Sequence, residues 1–143
     1  MTPAERVFLE RTRVAALATV DEDGRPHVVP ICYAFLHGSD GTRLVTAIDE
    51  KPKSTRELQR IRNVRIEPRV TVLADRYRED WSRLAWVQVR GEARVLSPGA
   101  GVHEDAVTAL ESKYDQYGDQ DLSDRPIIRI GVEETRSWGD LET

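Results

Sequence analysis

Hydrophobic and polar positions alternate in short runs along most of this chain, and most runs end at a turn signal. Val14 to Val20 (VAALATV) is a strand pattern that stops at Asp21-Glu22-Asp23-Gly24, a turn containing the hairpin pair Asp-Gly. Pro26 to Leu36 (PHVVPICYAFL) reads as the return strand. Pro30, in its middle, cannot donate to a ladder, which predicts an edge position or a bulge. A Gly-containing turn from His37 to Thr42 leads into a strand over Arg43–Ile48. After it come a lysine-bearing turn, a helix from about Ser54 to Arg62 and a strand from Val64 to Ala74. Asp75 to Arg83 is a polar, exposed excursion. Leu84 to Leu96 alternates as one long strand, kinked at Gly91. The pattern closes with a strand over Ile127–Val132 and a tail carrying Trp138.

Two further segments have helical spacing. Thr2-Pro3-Ala4-Glu5 opens a helix with a cap, a proline at the first helical position and a capping box. Val102, Ala106, Val107, Leu110 and Tyr114 recur at intervals of three and four, one face of a helix beyond the breaker Ser97-Pro98-Gly99-Ala100-Gly101. About six strands joined by hairpin-length turns, with three helices, predict a mainly β (α+β) antiparallel sheet or barrel with peripheral helices. A doubly wound parallel sheet would need longer crossovers. The 143 residues fit a single domain, and no repeat or linker divides them.

Charge and composition narrow the functional classes. A net charge of −4 gives no support for nucleic-acid binding. No apolar run is long enough to span a bilayer, and the N-terminal residues lack the apolar core of a signal peptide. One cysteine, Cys32, excludes an internal disulfide and a cysteine-cluster metal site, and its apolar strand context suggests a buried structural thiol. A reduced, cytoplasmic protein is expected. His27, His37 and His103 are scattered without ligand spacing, so surface or hydrogen-bonded roles are expected and no metal site. Ser39, Ser82 and Ser97 have no nucleophile-elbow context, and no catalytic side chain stands out.

The segment Arg43 to Leu73 carries the clearest candidate chemistry. Ser54-Thr55-Arg56-Glu57 is a capping box that places a helix start at Ser54. Lys51 and Lys53 then lie within three residues of a helix N-terminus, where their charge opposes the helix dipole. A bound phosphate would reverse that cost; without one, this is a solvated basic turn partly neutralised by Asp49 and Glu50. No Walker or dinucleotide glycine pattern is present. Trp81, Trp86 and Trp138 are expected in core or dimer-interface packing, with stacking on a planar heterocycle as the alternative. Trp86 and Gln88 share the strand face opposite Ala85, Val87 and Val89.

The order of these pieces resembles the pyridoxamine 5′-phosphate oxidase-like, split β-barrel flavin-binding family, and most closely its deazaflavin (coenzyme F-420)-dependent branch. The resemblance rests on VAALATVDEDGRPHVVPICYAF, RLVTAIDEKPK, RNVRIEPRVTVL, WVQVRGEARVL and IIRIGVEETRSWG, and it covers nearly the whole chain. It implies an antiparallel six-stranded split β-barrel with peripheral helices, and a homodimer with cofactor sites at the subunit interface. The backbone of Val29, Pro30 and Ile31 would face the cofactor ring, flanked by Thr46, Ala47 and Ile48. Lys51, Lys53 and Ser54 would take its phosphate. Trp86 falls near the position of a cofactor-contacting glutamine in the oxidases. Lys51-Pro52-Lys53 replaces their Arg-Lys pair, and their basic C-terminal substrate-phosphate residues have no counterpart. Those departures argue against pyridoxamine phosphate as substrate.

The resemblance thus implies an oxidoreductase in which reduced coenzyme F-420 gives a hydride to a conjugated small-molecule acceptor, such as an enone or a tetrapyrrole-like compound. An FMN-dependent oxidase or reductase and a non-catalytic flavin-type binding module are the alternatives.

Overall fold

The computed structural model describes residues 1–37, 41–48 and 58–142. Helix α1 (Pro3–Arg11) begins as its sequence predicts. Glu5 N donates to Thr2 Oγ1 (3.1 Å), and Thr2 N donates to Glu5 Oε1 (2.8 Å). Strands β1 (Ala15–Val20) and β2 (Pro26–Ile31) form the expected hairpin. Asp21 Oδ1 accepts from the backbone of Asp23 and Arg25, and Gly24 supplies the left-handed position at φ +80°.

The strand expected over Pro26–Leu36 divides at Cys32–Tyr33. Its second part, β3 (Ala34–Leu36), pairs with β4 (Arg43–Ala47) and not with β1. The described residues therefore contain seven strands where six were expected. At the break, Tyr33 N donates to the Tyr114 hydroxyl (3.0 Å), so that amide leaves the ladder. Cys32 consequently lies outside a strand and is half-buried, unlike the buried strand thiol expected for it.

Helix α2 (Gln59–Ile66) keeps Val64 to Ile66 helical, and β5 (Arg69–Arg76) starts later than the apolar pattern suggested. Pro68 disfavours helical geometry at Glu67, which is extended (φ −130°, ψ 103°), so the helix stops there. The capping box at Ser54 lies outside the described residues. The strands β6 (Ala85–Leu96) and β7 (Ile127–Gly139) form the longest ladder, with a register shift at Arg90/Gly91 where the kink was expected. β7 continues well past Val132, because its polar second half pairs with the first half of β6 and takes Trp138 into the sheet.

The strand order is β2-β1-β5-β6-β7-β4-β3, and every pair is antiparallel. β2 is an edge strand, as Pro30 requires. The two outermost strands, β2 and β3, are also consecutive in the chain and separated only by Cys32 and Tyr33. Three backbone links reach about 11 Å at most, so the sheet curls until its edges approach. No ladder joins β2 to β3 among the described residues, which leaves the barrel split there rather than closed. Ala85, Val87 and Val89 point inward with Leu17, Leu44 and Val72, while α1 contributes Phe8 and Leu9 and α2 contributes Ile61 and Val64. Helix α3 (Gly101–Lys113) packs outside, with Ala106, Leu110 and Tyr114 against Ala34, Val45 and Ala47. Among the described residues no helix is long and apolar enough to cross a membrane.

Candidate functional site

The β2–β3 break organises one corner of the barrel. Thr46 Oγ1 donates to Cys32 O (2.7 Å), tying β4 to the break. Ile31, Thr46, Ala47 and Ile48 are all buried, with Thr46 only 1% exposed. Their side chains are committed to packing, so a ring at this corner would meet backbone here. Pro30 and Val28 point outward across the hairpin. Pro30 pairs with Ala16, and Ala16 with Leu73, so three apolar side chains stand in a row on adjacent strands. They floor an open hollow of about 610 Å³, whose rim includes Arg13, Val28 and Val29. That volume suits a cofactor-sized ligand. Thr46, Ala47 and Ile48 do not line this hollow, and Trp86 stands three strands away from Pro30, about 14 Å at ordinary strand spacing. The structure thus brings Val29 and Pro30 together at one hollow, buries Ile31 and Thr46–Ile48 outside its lining and leaves Trp86 apart. Lys51, Lys53 and Ser54 lie outside the described residues.

The start of α2 shows what the sequence pattern missed. Leu58, at its N-cap, supplies no side-chain hydrogen bond to the exposed amides. In the first turn, Arg60 is only 8% exposed, and its Nε has no hydrogen-bond partner. Arg60 pairs with no carboxylate among the described residues. A buried guanidinium without a counterion is costly. The same helix face carries Asn63, fully buried, whose Nδ2 donates to Thr19 Oγ1 (3.0 Å) and whose Oδ1 accepts from Gln59 Nε2 (2.7 Å). His27 sits across the hairpin from Thr19, and its Nδ1 is also buried without a partner. Among the described residues no side chain caps this helix start, and the buried Arg60 Nε beside it is unpartnered, a combination that fits a phosphate. The sequence signal was an arginine three residues before an inward-facing asparagine, on the face where an apolar residue belongs.

A brace of aromatic and basic groups holds the break from behind. The Tyr114 hydroxyl accepts from Tyr33 N and lies 2.9 Å from the carbonyls of Arg13 and Tyr33. Tyr33 Oη donates to Leu9 O (2.6 Å). Lys113 Nζ donates to Leu9 O (3.3 Å) and stands 3.8 Å from the Tyr33 ring centroid. Burial, and then the neighbouring Arg13 charge, push the Lys113 ammonium down to about 8. Burial raises Tyr33, with Tyr114 adding to the effect, and burial likewise raises Tyr114.

The family model described as pyridoxamine 5′-phosphate oxidase matches residues 1–139. This chain belongs to that family. Rv2991, a conserved hypothetical protein from Mycobacterium tuberculosis, is similar in structure at 28% identity, covering 99% of this chain and 86% of its own with a TM-score of 0.75. An FAD-binding protein (mll6688) from Mesorhizobium loti is similar at 26% identity, covering 96% and 94% with a TM-score of 0.69. The heme storage protein HutZ from Vibrio cholerae, at 16% identity, covers 96% and 92% with a TM-score of 0.69 and shares the fold.

As a member of the pyridoxamine 5′-phosphate oxidase family, the chain has a mainly β antiparallel sheet with added helices. Among the described residues, no three His, Cys, Asp or Glu side chains cluster to hold a metal. His103, buried on α3, places Nε2 2.6 Å from Arg125 O. The tryptophans are not core residues. Trp81 and Trp138 are 69% and 54% exposed, and Trp86 is half-buried. Trp86 and Trp138 are directly paired across β6 and β7 on the outer face, next to Asp75 of β5.

Proposed function

We propose that this chain is an oxidoreductase of its family that binds coenzyme F-420 and serves hydride transfer to a conjugated organic acceptor. The observation that carries the reading is Arg60, buried at the start of α2 with its Nε unpartnered and no carboxylate paired with it among the described residues. A cofactor phosphate supplies the missing counterion. Lys51, Lys53 and Ser54, a few residues earlier in the chain, are proposed as its outer ligands. The apolar hollow over Ala16, Pro30 and Leu73 excludes water from one side of a flat ring. When bound, the coenzyme supplies the hydride-transfer chemistry itself. The protein's part is to bind, orient and shield, which accords with the absence of a catalytic side chain from the proposal.

A homodimer belongs to the same reading. Leu73, Trp86 and Trp138 lie on the outer sheet face, and a second copy would cover them while completing the open hollow. The similarity to a protein described as FAD-binding supports a flavin-type ligand in general.

Titration of the purified protein with coenzyme F-420 and with FMN tests the cofactor. Tight F-420 binding with reduction of an enone panel is expected. FMN binding alone would move the protein to the FMN-dependent class, and saturation without turnover of any acceptor would leave a ligand-binding module.

A further inference from the structure

At the other end of β4, on the outer surface, three arginines share one face of three adjacent strands. Arg94 of β6 and Arg129 of β7 are direct cross-strand partners, and Arg129 in turn faces Val45 of β4. Arg43, two residues before Val45, lies diagonally across from Arg129. Like charges directly opposite one another in a ladder are destabilising. Among the described residues none of the three makes an ion pair. Burial, reinforced by Arg43 and Arg94, holds the half-buried Arg129 guanidinium below its ordinary range.

The floor beside them is bare. Gly131 lies between Arg43 and Glu92 in the β4–β7–β6 row. Neither backbone nor packing requires glycine there. Its φ is not positive, and an added Cβ would meet only Glu92 O, at 3.8 Å. Helix α3 covers the neighbouring Val45 and Ala47 but leaves this patch open. Among the described residues Glu92 is the nearest acid on the face, against three guanidinium groups, and Arg65 of α2 lines the same hollow as Glu92 and Arg94.

We propose that Arg43, Arg94 and Arg129, over the bare strand at Gly131, form a second anion site that takes the diphosphate group of a small molecule. Guanidinium groups match phosphate oxygens in bidentate geometry. Their spread over three strands, each about 4.8 Å from the next, exceeds one phosphate and suits two. Arg43 stands four residues, about 13 Å of strand, from Ala47, and its face points away from the barrel interior. Arg60 lies with Asn63 on the side of α2 that faces the inward Thr19, whereas these arginines stand on the outer sheet face, so the proposal does not rest on that reading.

Calorimetric titration of the full chain with inorganic pyrophosphate, at low salt, tests it. Saturable binding is expected, weakened about tenfold or more in Arg129→Gln and in Arg43→Gln. Lys51→Glu, Lys53→Glu and Arg60→Met should bind pyrophosphate as the parent does. Melting of the ligand-free protein gives a second readout. Arg129→Gln should melt at the same temperature or higher, and pyrophosphate should no longer raise it. Absence of saturation, undiminished binding by Arg129→Gln, or loss of binding in the lysine variants would each overturn the site. Equal binding of citrate, or binding of a short DNA duplex in place of pyrophosphate, would overturn the diphosphate assignment.

Discussion

Asn63 Nδ2 donates a 3.0 Å hydrogen bond to Thr19 Oγ1, latching α2 onto the inner face of β1 from 44 residues away. Both groups are almost fully buried, so neither has water as a substitute. Asn63→Ala should destabilise the protein by about 1–3 kcal/mol, since it also strands the Thr19 hydroxyl. The double variant Asn63→Leu, Thr19→Val removes both partners and should recover most of that loss. Urea unfolding of the two variants measures the difference. Equal losses in both would show that the stranded Thr19 hydroxyl is not the source of the single variant's loss.

Arg60, one turn earlier, gives the opposite sign. Arg60→Met keeps the aliphatic stem and removes a buried charge that has no counterion among the described residues. The ligand-free protein should gain about 1–3 kcal/mol, while affinity for a phosphate-bearing flavin or deazaflavin falls about tenfold or more. Thermal melting and cofactor titration read the two effects separately. A destabilised variant with unchanged cofactor affinity would mean that Arg60 is a structural residue.

The elements legible in the sequence are those whose signals are local. The Thr2/Glu5 capping box, the Asp21–Gly24 turn, the alternation of β6 and the three-and-four spacing of α3 each specify structure within a few residues. The seventh strand was not legible, because the division at Cys32–Tyr33 depends on Tyr114, 81 residues away. Nor was the boundary of α2: Val64 and Ile66 are β-branched and read as strand, but the turn through Asn63 holds them helical, and Glu67 N donates to Asn63 O (2.7 Å). At the candidate site, Val29 and Pro30 are named by their family-like context, and both line the hollow. Arg60 was missed because a charged residue on a helix reads as solvent-facing until its burial is known.

Gly91 is a packing requirement. It lies at the β6–β7 register shift, and an added Cβ would stand 2.1 Å from Gly131 O, a backbone atom that cannot swing aside. Gly91→Ala should cost about 3 kcal/mol or more, visible as a large drop in melting temperature. Gly131→Ala, whose Cβ meets nothing closer than 3.8 Å, should be close to neutral. A mild Gly91→Ala would mean that the two long strands separate easily at the bulge.

Trp86 and Trp138 test the proposed dimer. A cross-strand tryptophan pair on an outer sheet face is a strong anchor when a partner covers it, and single anchors contribute about 2 kcal/mol or more. Trp138→Glu should convert the dimer to monomer in sedimentation velocity while leaving the far-ultraviolet dichroism unchanged. A parent chain that sediments as a monomer at high micromolar concentration would remove the dimer and the shared cofactor site together.

Lys113 predicts a pH dependence with a definite sign. Its ammonium sits among Tyr33, Tyr114 and Leu9 O, and burial followed by the Arg13 charge lowers it from 10.5 to about 8 in the folded chain. Below pH 8 both folded and unfolded chains hold this proton, and the full penalty for the buried charge is present. Between about pH 8 and 10 the unfolded chain binds the proton more strongly, so this group makes stability rise with pH. Above that window Tyr33 and Tyr114 act in reverse. Burial raises both hydroxyls, so the unfolded chain ionises first and stability falls. The parent protein should therefore show its highest urea midpoint, as far as these groups decide it, at about pH 9 to 10. Lys113→Met should flatten the rise between pH 8 and 10 and keep the fall above it. A variant with the same rise as the parent would place the titration elsewhere, and a parent midpoint that falls steadily from pH 8 would refute the inverted lysine outright.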